Sequence, residues 1–238
     1  MNQRGGGVKK IYIVRHGETD WNIQKKQQGC EANIEINENG RHQALITGKY
    51  LNDYQQKESR FDIIYSSSQI RAIETAKIIA KELGYNNEIK IIDDLKEICV
   101  GKLSGTTDQE RKTDPQFTKL HQLQSKYVNI IDPIDKMKNL IFYEEKISKN
   151  YGRESLEELF QRINRVLKQI INDDNNKILI VTHSALIKNI FMLIGNTYDY
   201  KDGDITNGTN CKLGYIEYNN SLFKIITNPN TIHFNLYK

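Results

Sequence analysis

Two histidines in this chain stand where short apolar runs end. KIYIV (residues 10–14) leads into Arg15-His16-Gly17, and KILIV (residues 177–181) leads into Thr182-His183-Ser184. A neutral imidazole can attack as a nucleophile near pH 7. Arg15, and Arg71 further along, carry planar guanidinium forks that stay charged and grip an oxyanion through two bonds, which Lys does less specifically. Glu97 offers a carboxyl group that can give a proton to a leaving oxygen and afterwards act as the base that activates water, if burial and an adjacent phosphate leave it protonated. Cleavage of a phosphate monoester needs this set: its oxygens must be neutralised, phosphorus attacked and the departing alkoxide protonated. His16 is the candidate nucleophile, and Arg15 and Arg71 are the candidate phosphate clamp. His183, if protonated beside a phosphate dianion, would stabilise the charge that grows during transfer. Asn22 adds an uncharged donor to the same anion, and the backbone N–H of Ser184 another.

These residues are far apart in the chain, so regular elements must bring them together. KIYIV reads as a buried β-branched strand, and Gly40 to Gln56 as a helix with Ala44, Leu45, Gly48 and Leu51 on one face. Phe61 to Tyr65 is the next strand. Ser66, Ser67 and Ser68 offer N-caps for a helix through about Leu83, with Gly84 as its C-cap. Ile89 to Ile92 is a third strand, followed by Leu95-Lys96-Glu97 and a loop from Gly101 to Gly105. Between Glu154 and Asp173 apolar residues recur at 156, 159, 160, 163, 166, 167, 170 and 171, the spacing of one buried helix face. Lys177 to Val181 is a strand, Ala185 to Ile194 a buried helix, and Lys212 to Tyr218 with Leu222 to Thr227 a hairpin turning at Asn219-Asn220. The alternation predicts an α/β fold in three layers: a mostly parallel sheet with helices on both faces and ligands beyond the carboxyl ends of the strands. Arg15, His16 and His183 fall at that edge.

A chain of 238 residues suits one domain, here residues 10–238, preceded by a flexible arm over residues 1–9 that holds Gly5, Gly6 and Gly7. Thr106 to Tyr151 contains two of the three prolines and interleaved charges, and reads as a helical insertion acting as a lid over residues 106–151. The net charge is +4 and no Lys/Arg block occurs, which argues against nucleic acid as a partner. No apolar run is long enough for a membrane span and Met1 to Lys10 lacks an apolar core, so the expectation is a cytoplasmic protein without a membrane partner. Cys30, Cys99 and Cys211 are widely spaced and odd in number, which predicts free thiols in a reducing compartment. Cys99 reads as an ordinary buried thiol, although its oxidation two residues from Glu97 could disturb the site. No zinc or magnesium spacing occurs and no cofactor is implied. His42, His121 and His233 show no partner pattern and read as surface or packing residues.

The run Arg15-His16-Gly17-Glu18-Thr19 with Trp21-Asn22 is followed in order by Ser66 with Arg71 and Thr75-Ala76. Then come Glu97 with Gly101 and Gly105, Glu154-Ser155, Thr182-His183, and Asn210. This series resembles the motifs of the histidine phosphatase superfamily, also called the phosphoglycerate mutase-like family, over nearly the whole chain. The resemblance implies a phosphohistidine on His16, with Gly17 leaving space for the phosphoryl group and Glu97 as acid and base. Any one residue has a plainer reading: Arg15-His16 as an ion-pairing strand end, Arg71 as a solvated helix residue, Glu97 as a surface carboxylate, His183 as a core histidine. The ordered set favours the functional one. Arg162 and Asn210 are also family-like, and structural jobs suit them.

The chain departs from the family pattern in three places. Asn33-Ile34-Glu35-Ile36-Asn37 lacks the usual proline, and Ser184 stands where a glycine commonly follows the second histidine. Ile98-Cys99-Val100 replaces the Arg-His-Tyr of true mutases, and no Arg-Arg pair lies between Thr106 and Tyr151. A mutase must hold a bisphosphate while it reorients, which requires cations on the distal group. The expectation is therefore a metal-independent phosphomonoester hydrolase acting on small phosphorylated metabolites such as sugar phosphates. A phosphoglycerate mutase and a non-catalytic phosphate-binding scaffold are the alternatives.

Overall fold

The computed structural model describes residues 7–119, 122, 133–195, 210–211 and 213–227. The chain divides into two compact units: Met1–Asp20 with Asn33–Glu97 and Ile163–Lys238, and Trp21–Ala32 with Ile98–Arg162.

The first unit is built on a six-stranded sheet of β1 (Lys9–Arg15), β2 (Ile63–Ser67), β3 (Lys90–Ile92), β4 (Lys177–Thr182), β5 (Leu213–Asn219) and β6 (Leu222–Thr227). Their order is β3-β2-β4-β1-β5-β6. The first four positions are parallel, and the hairpin β5-β6 adds antiparallel to β1. Every residue of β2 and β4 is buried, which is why both read as continuous apolar or small-residue runs without alternation. Tyr12 and Val14 pack with Ala44, Leu51, Ala72, Ala76 and Ile79 from the helices Glu38–Lys57 and Ile70–Glu82. Ile11 and Ile13 alternate to the opposite face. The helix Ser184–Gly195 packs against β1 and β6. The α/β architecture follows the predicted alternation; the hairpin forms, but its turn is Asn220-Ser221, at φ +48° and +65°, because Asn219, expected in the turn, pairs with Leu222 inside β5.

The span of β2, the cap of the helix after it and the start of β1 differ from expectation. The strand expected at Phe61 to Tyr65 is shifted toward the C-terminus, so that Ser66 and Ser67 belong to β2, paired with Ile91 and Ile92 of β3. Gln69, not a serine, is the N-cap of the helix Ile70–Glu82, and its side chain makes no capping bond. Ser66 is paired in parallel on both sides and Ser67 on one, which holds both extended, and Ser68 lies between the strand and the cap. Gly84, at φ +61°, takes the left-handed conformation just beyond that helix. At the N-terminus β1 begins at Lys9, inside the stretch expected as an arm, and residues 1–6 lie outside the described residues.

The second unit has its own core of Val100, Leu103, Tyr143, Ile147 and Tyr151, with Phe117 packed against it. Its long helix is Pro133–Tyr151, and a shorter one, Asp108–Thr113, is opened by a capping box between Thr107 and Glu110. The free-thiol expectation fails here. Cys30 and Cys99 form a disulfide, with Cα atoms 4.5 Å apart across a separation of 69 residues. The Cys30 N–H donates to the Ile98 carbonyl at 3.2 Å, and the Glu31 carboxylate accepts from the N–H groups of Val100 and Gly101 at 3.2 and 2.6 Å, so backbone pairing sets the two sulfurs face to face. Cys99 is therefore not an isolated thiol. Glu154 accepts two bonds from the Arg162 guanidinium, at 2.5 and 2.8 Å, and one from the Cys99 N–H at 3.3 Å. Arg162 is 3% exposed and paired with Glu154 inside the second unit. Cys211, in the first unit, is a free buried thiol whose pKa burial pushes up to about 12. Among the described residues no helix is long and apolar enough to cross a membrane.

Candidate active site

Because β1, β2 and β4 run parallel, their carboxyl ends share one edge of the first unit's sheet. His16 follows β1, Ser67 ends β2 and His183 follows β4. The register pairs Arg15 with Thr182, so the two histidines emerge side by side, with ring centroids 5.1 Å apart. His16 is 3% exposed and His183 fully buried. The His16 Nδ1–H donates to the Gly17 carbonyl at 2.7 Å. A carbonyl can only accept, so the ring's single proton sits on Nδ1 and Nε2 keeps its lone pair. Burial, then the cations of Arg71 and Arg15, lower the His16 pKa well below the ordinary 6.5, against a small opposing effect of the Gly17 bond. His16 is thus a neutral imidazole with one basic nitrogen.

The backbone around it is held from several directions. The His16 N–H donates to the Thr182 carbonyl at 2.9 Å, and its own carbonyl accepts from the Cys211 N–H at 3.3 Å. The Gly17 N–H donates to Thr75 Oγ1 at 2.9 Å, and that hydroxyl donates to the Arg71 carbonyl at 2.7 Å. A Cβ on Gly17 would meet the Gly40 carbonyl oxygen at 2.5 Å, and one on Gly40 would meet the Glu18 carbonyl oxygen at 2.2 Å. Glycine at 17 is therefore demanded by the approach of a second backbone, a reason beyond the phosphoryl space that the family resemblance implied.

Arg71 is fully buried in the first turn of its helix. Burial lowers its pKa to about 10, with Glu97 opposing and Arg15 adding to the shift. Its Nε–H donates to His183 Nδ1 at 3.2 Å, so that nitrogen is an acceptor, and the other, Nε2, bonds Ser67 Oγ at 2.8 Å. A second proton on His183 would have to displace Arg71 from Nδ1. Arg15 ends β1; burial lowers its pKa, with the Glu97 carboxylate the foremost opposing influence.

Glu97 is 8% exposed. Its N–H donates to Gln69 Oε1 at 2.8 Å, and its carboxylate accepts from the N–H groups of Ala185 and Leu186, both at 3.2 Å, in the first turn of the helix that Ser184 opens. Thr182 Oγ1 donates to the Leu95 carbonyl at 2.6 Å. The Glu97 loop is thus tied to the strand-helix junction that carries His183.

The first unit brings together Arg15, His16, Arg71, Glu97, His183 and Ser184. Asn22 belongs to the second unit, where its carbonyl accepts from the Lys25 N–H at 3.1 Å. Asn210 is buried beside Cys211, and His42 is exposed. His121 and His233 lie outside the described residues. Sequence reasoning missed Gln69 and Gly40 as contributors, quoted Thr75 in the motif series without a contact, and read Ser67 as a helix cap where it bonds His183. A hydroxyl on a strand buried on both faces is a signal, since such groups need partners. Among the described residues, the three-membered group with metal-ligand atoms close together is Cys30, Glu31 and Cys99, and its two sulfurs are joined to each other and offer no thiolate.

A profile of the Histidine phosphatase superfamily (branch 1) matches residues 11–230. The chain belongs to that superfamily. It is 35% identical over 178 residues to an uncharacterised phosphatase, PhoE, of Bacillus subtilis strain 168, covering 74% of this chain and 72% of that protein. It is 32% identical over 184 residues to phosphoglycerate mutase-like protein 4 of Arabidopsis thaliana, covering 76% of this chain and 69% of that one. The fold matches the crystal structure of a phosphoglycerate mutase from Bacillus anthracis strain Sterne with a TM-score of 0.71 at 20% identity, over 96% of each chain. Phosphatases and mutases both occur among its relatives, so the chain is assigned to an enzyme family of phosphoryl chemistry.

Proposed function

We propose that this protein is a metal-independent phosphomonoester hydrolase acting on small phosphorylated metabolites, sugar phosphates among them, through a phosphohistidine on His16. The observation that carries the reading is the His16 ring: proton on Nδ1, lone pair on Nε2, pKa held low by burial and two arginines. Nε2 attacks phosphorus while Arg15 and Arg71 neutralise its oxygens and the Ser184 N–H adds a donor to the same anion, with His183 steadying the Arg71 guanidinium through Nδ1. Glu97 gives a proton to the leaving oxygen, forming the alcohol as the P–O bond breaks. It then takes a proton from water as that water attacks the phosphohistidine, releasing inorganic phosphate and restoring the ring. The absence of a paired arginine and of Arg-His-Tyr after Glu97 favours hydrolysis over isomerisation.

The test is phosphate release from a panel of sugar phosphates in the presence of chelator. Wild-type protein hydrolyses members of the panel, and acid-labile phosphate is trapped on His16. Loss of activity on chelation, or isomerisation of 3-phosphoglycerate that needs a bisphosphoglycerate primer, overturns the proposal.

A further inference from the structure

We infer that Gln69 is a positioning residue for Glu97, fixing where the proton donor stands relative to the two histidines; this rests on the reading of Glu97 given above. Gln69 is 7% exposed and occupies the N-cap of the Ile70–Glu82 helix, where a polar side chain ordinarily turns back to satisfy a helix N–H. Here its side chain makes no such bond. Its Oε1 instead accepts the N–H of Glu97, 28 residues away, at 2.8 Å. The Gln69 backbone N–H donates to Ser67 Oγ at 3.2 Å, and that hydroxyl bonds His183 Nε2 at 2.8 Å. From Glu97 the path returns through its carboxylate to the N–H groups of Ala185 and Leu186, in the helix that starts directly after His183.

These bonds close a ring: His183, Ser67, Gln69, Glu97, and back to His183 through the first helical turn. One residue therefore joins the acid's backbone to the support of the second histidine. The bond to Oε1 fixes the peptide plane preceding Glu97, and with it the direction in which the carboxyl group leaves the chain. Proton transfer works only over hydrogen-bond distances, so loss of that anchor moves the donor out of range while leaving Arg15, His16 and Arg71 in place.

The experiment compares kcat/KM for two esters whose leaving groups differ in need of a proton. Nitrophenyl phosphate expels a weakly basic phenolate unaided; glycerol phosphate expels an alkoxide that must be protonated. Gln69→Leu keeps the bulk and removes the acceptor, and is expected to lower kcat/KM for glycerol phosphate by about ten- to hundredfold and for nitrophenyl phosphate by less than about threefold. The ratio of the two constants does not depend on what fraction of a preparation is folded. Gln69→Asn, which withdraws the oxygen by one methylene, is expected to shift the ratio the same way and serves if the leucine variant does not fold. Glu97→Gln, run in parallel, separates the two claims. If it shows the leaving-group-dependent loss and the Gln69 variants keep the wild-type ratio, the inference about Gln69 is overturned and the role of Glu97 stands. If Glu97→Gln keeps the wild-type ratio, the role of Glu97 falls and the inference falls with it.

Discussion

KIYIV and KILIV are nearly the same strand, lie in parallel register, and each delivers a histidine to the same sheet edge, yet the two rings end in opposite situations. His16 uses Nδ1 on its own following carbonyl and leaves Nε2 as a lone pair. His183 is held at both nitrogens, by the Arg71 Nε–H at one and Ser67 at the other. The following residue differs as well. Gly17 passes against the Gly40 backbone, whereas Ser184 begins a helix. Neighbouring groups, not the local strand, leave one ring with an open lone pair and hold the other at both nitrogens.

Substitution at each position tests that division. His16→Ala is expected to abolish hydrolysis, by at least about a thousandfold in kcat, together with the acid-labile phosphoprotein. His183→Ala removes the acceptor that holds the Arg71 guanidinium and is expected to slow phosphate release by about a hundredfold, while the phosphoprotein on His16 still forms. Equal losses of label in both variants would erase the distinction.

The flanking residues make a second contrast, measured by denaturant unfolding. Gly17→Ala drives a Cβ into the Gly40 carbonyl and should cost about 1–3 kcal/mol, whereas Ser184→Gly, at the start of a helix, should cost less than about 1 kcal/mol. Ser67→Ala removes the hydroxyl on His183 Nε2 and is expected to cost about 1 kcal/mol, measured as a roughly fivefold fall in kcat/KM without loss of the His16 label.

The smallest effect concerns pH. A histidine of ordinary pKa gains a proton as pH falls through 6.5 and loses its nucleophilic lone pair. The His16 pKa is depressed by burial and then by Arg71 and Arg15, so the lone pair survives below that value. The acid limb of kcat/KM is expected below pH 6.5, and a nitrogen-NMR titration of the His16 ring should give a midpoint there that rises in Arg71→Ala, which removes a cation. A midpoint at the ordinary value in wild-type protein would contradict the buried, doubly flanked ring.

Local pattern along the chain makes most strands and helices, and the candidate reactive groups, legible. Burial on both faces makes β4 a continuous apolar run, one buried stripe sets the spacing from Leu156 to Ile171, and Gly84 marks a left-handed exit from a helix; each pattern repeats within a few residues and is therefore legible locally. The position of Arg71 in an ordered motif series also picked out a guanidinium that the structure buries completely. Long-range packing brings Cys30 to Cys99, sets Gly17 against Gly40, ends a strand at Ser67 beside His183, and carries Gln69 to Glu97. Those pairs depend on how strands stack in register and how loops cross at their ends, and no short-range periodicity along a chain encodes which distant residues such packing brings within a bond length.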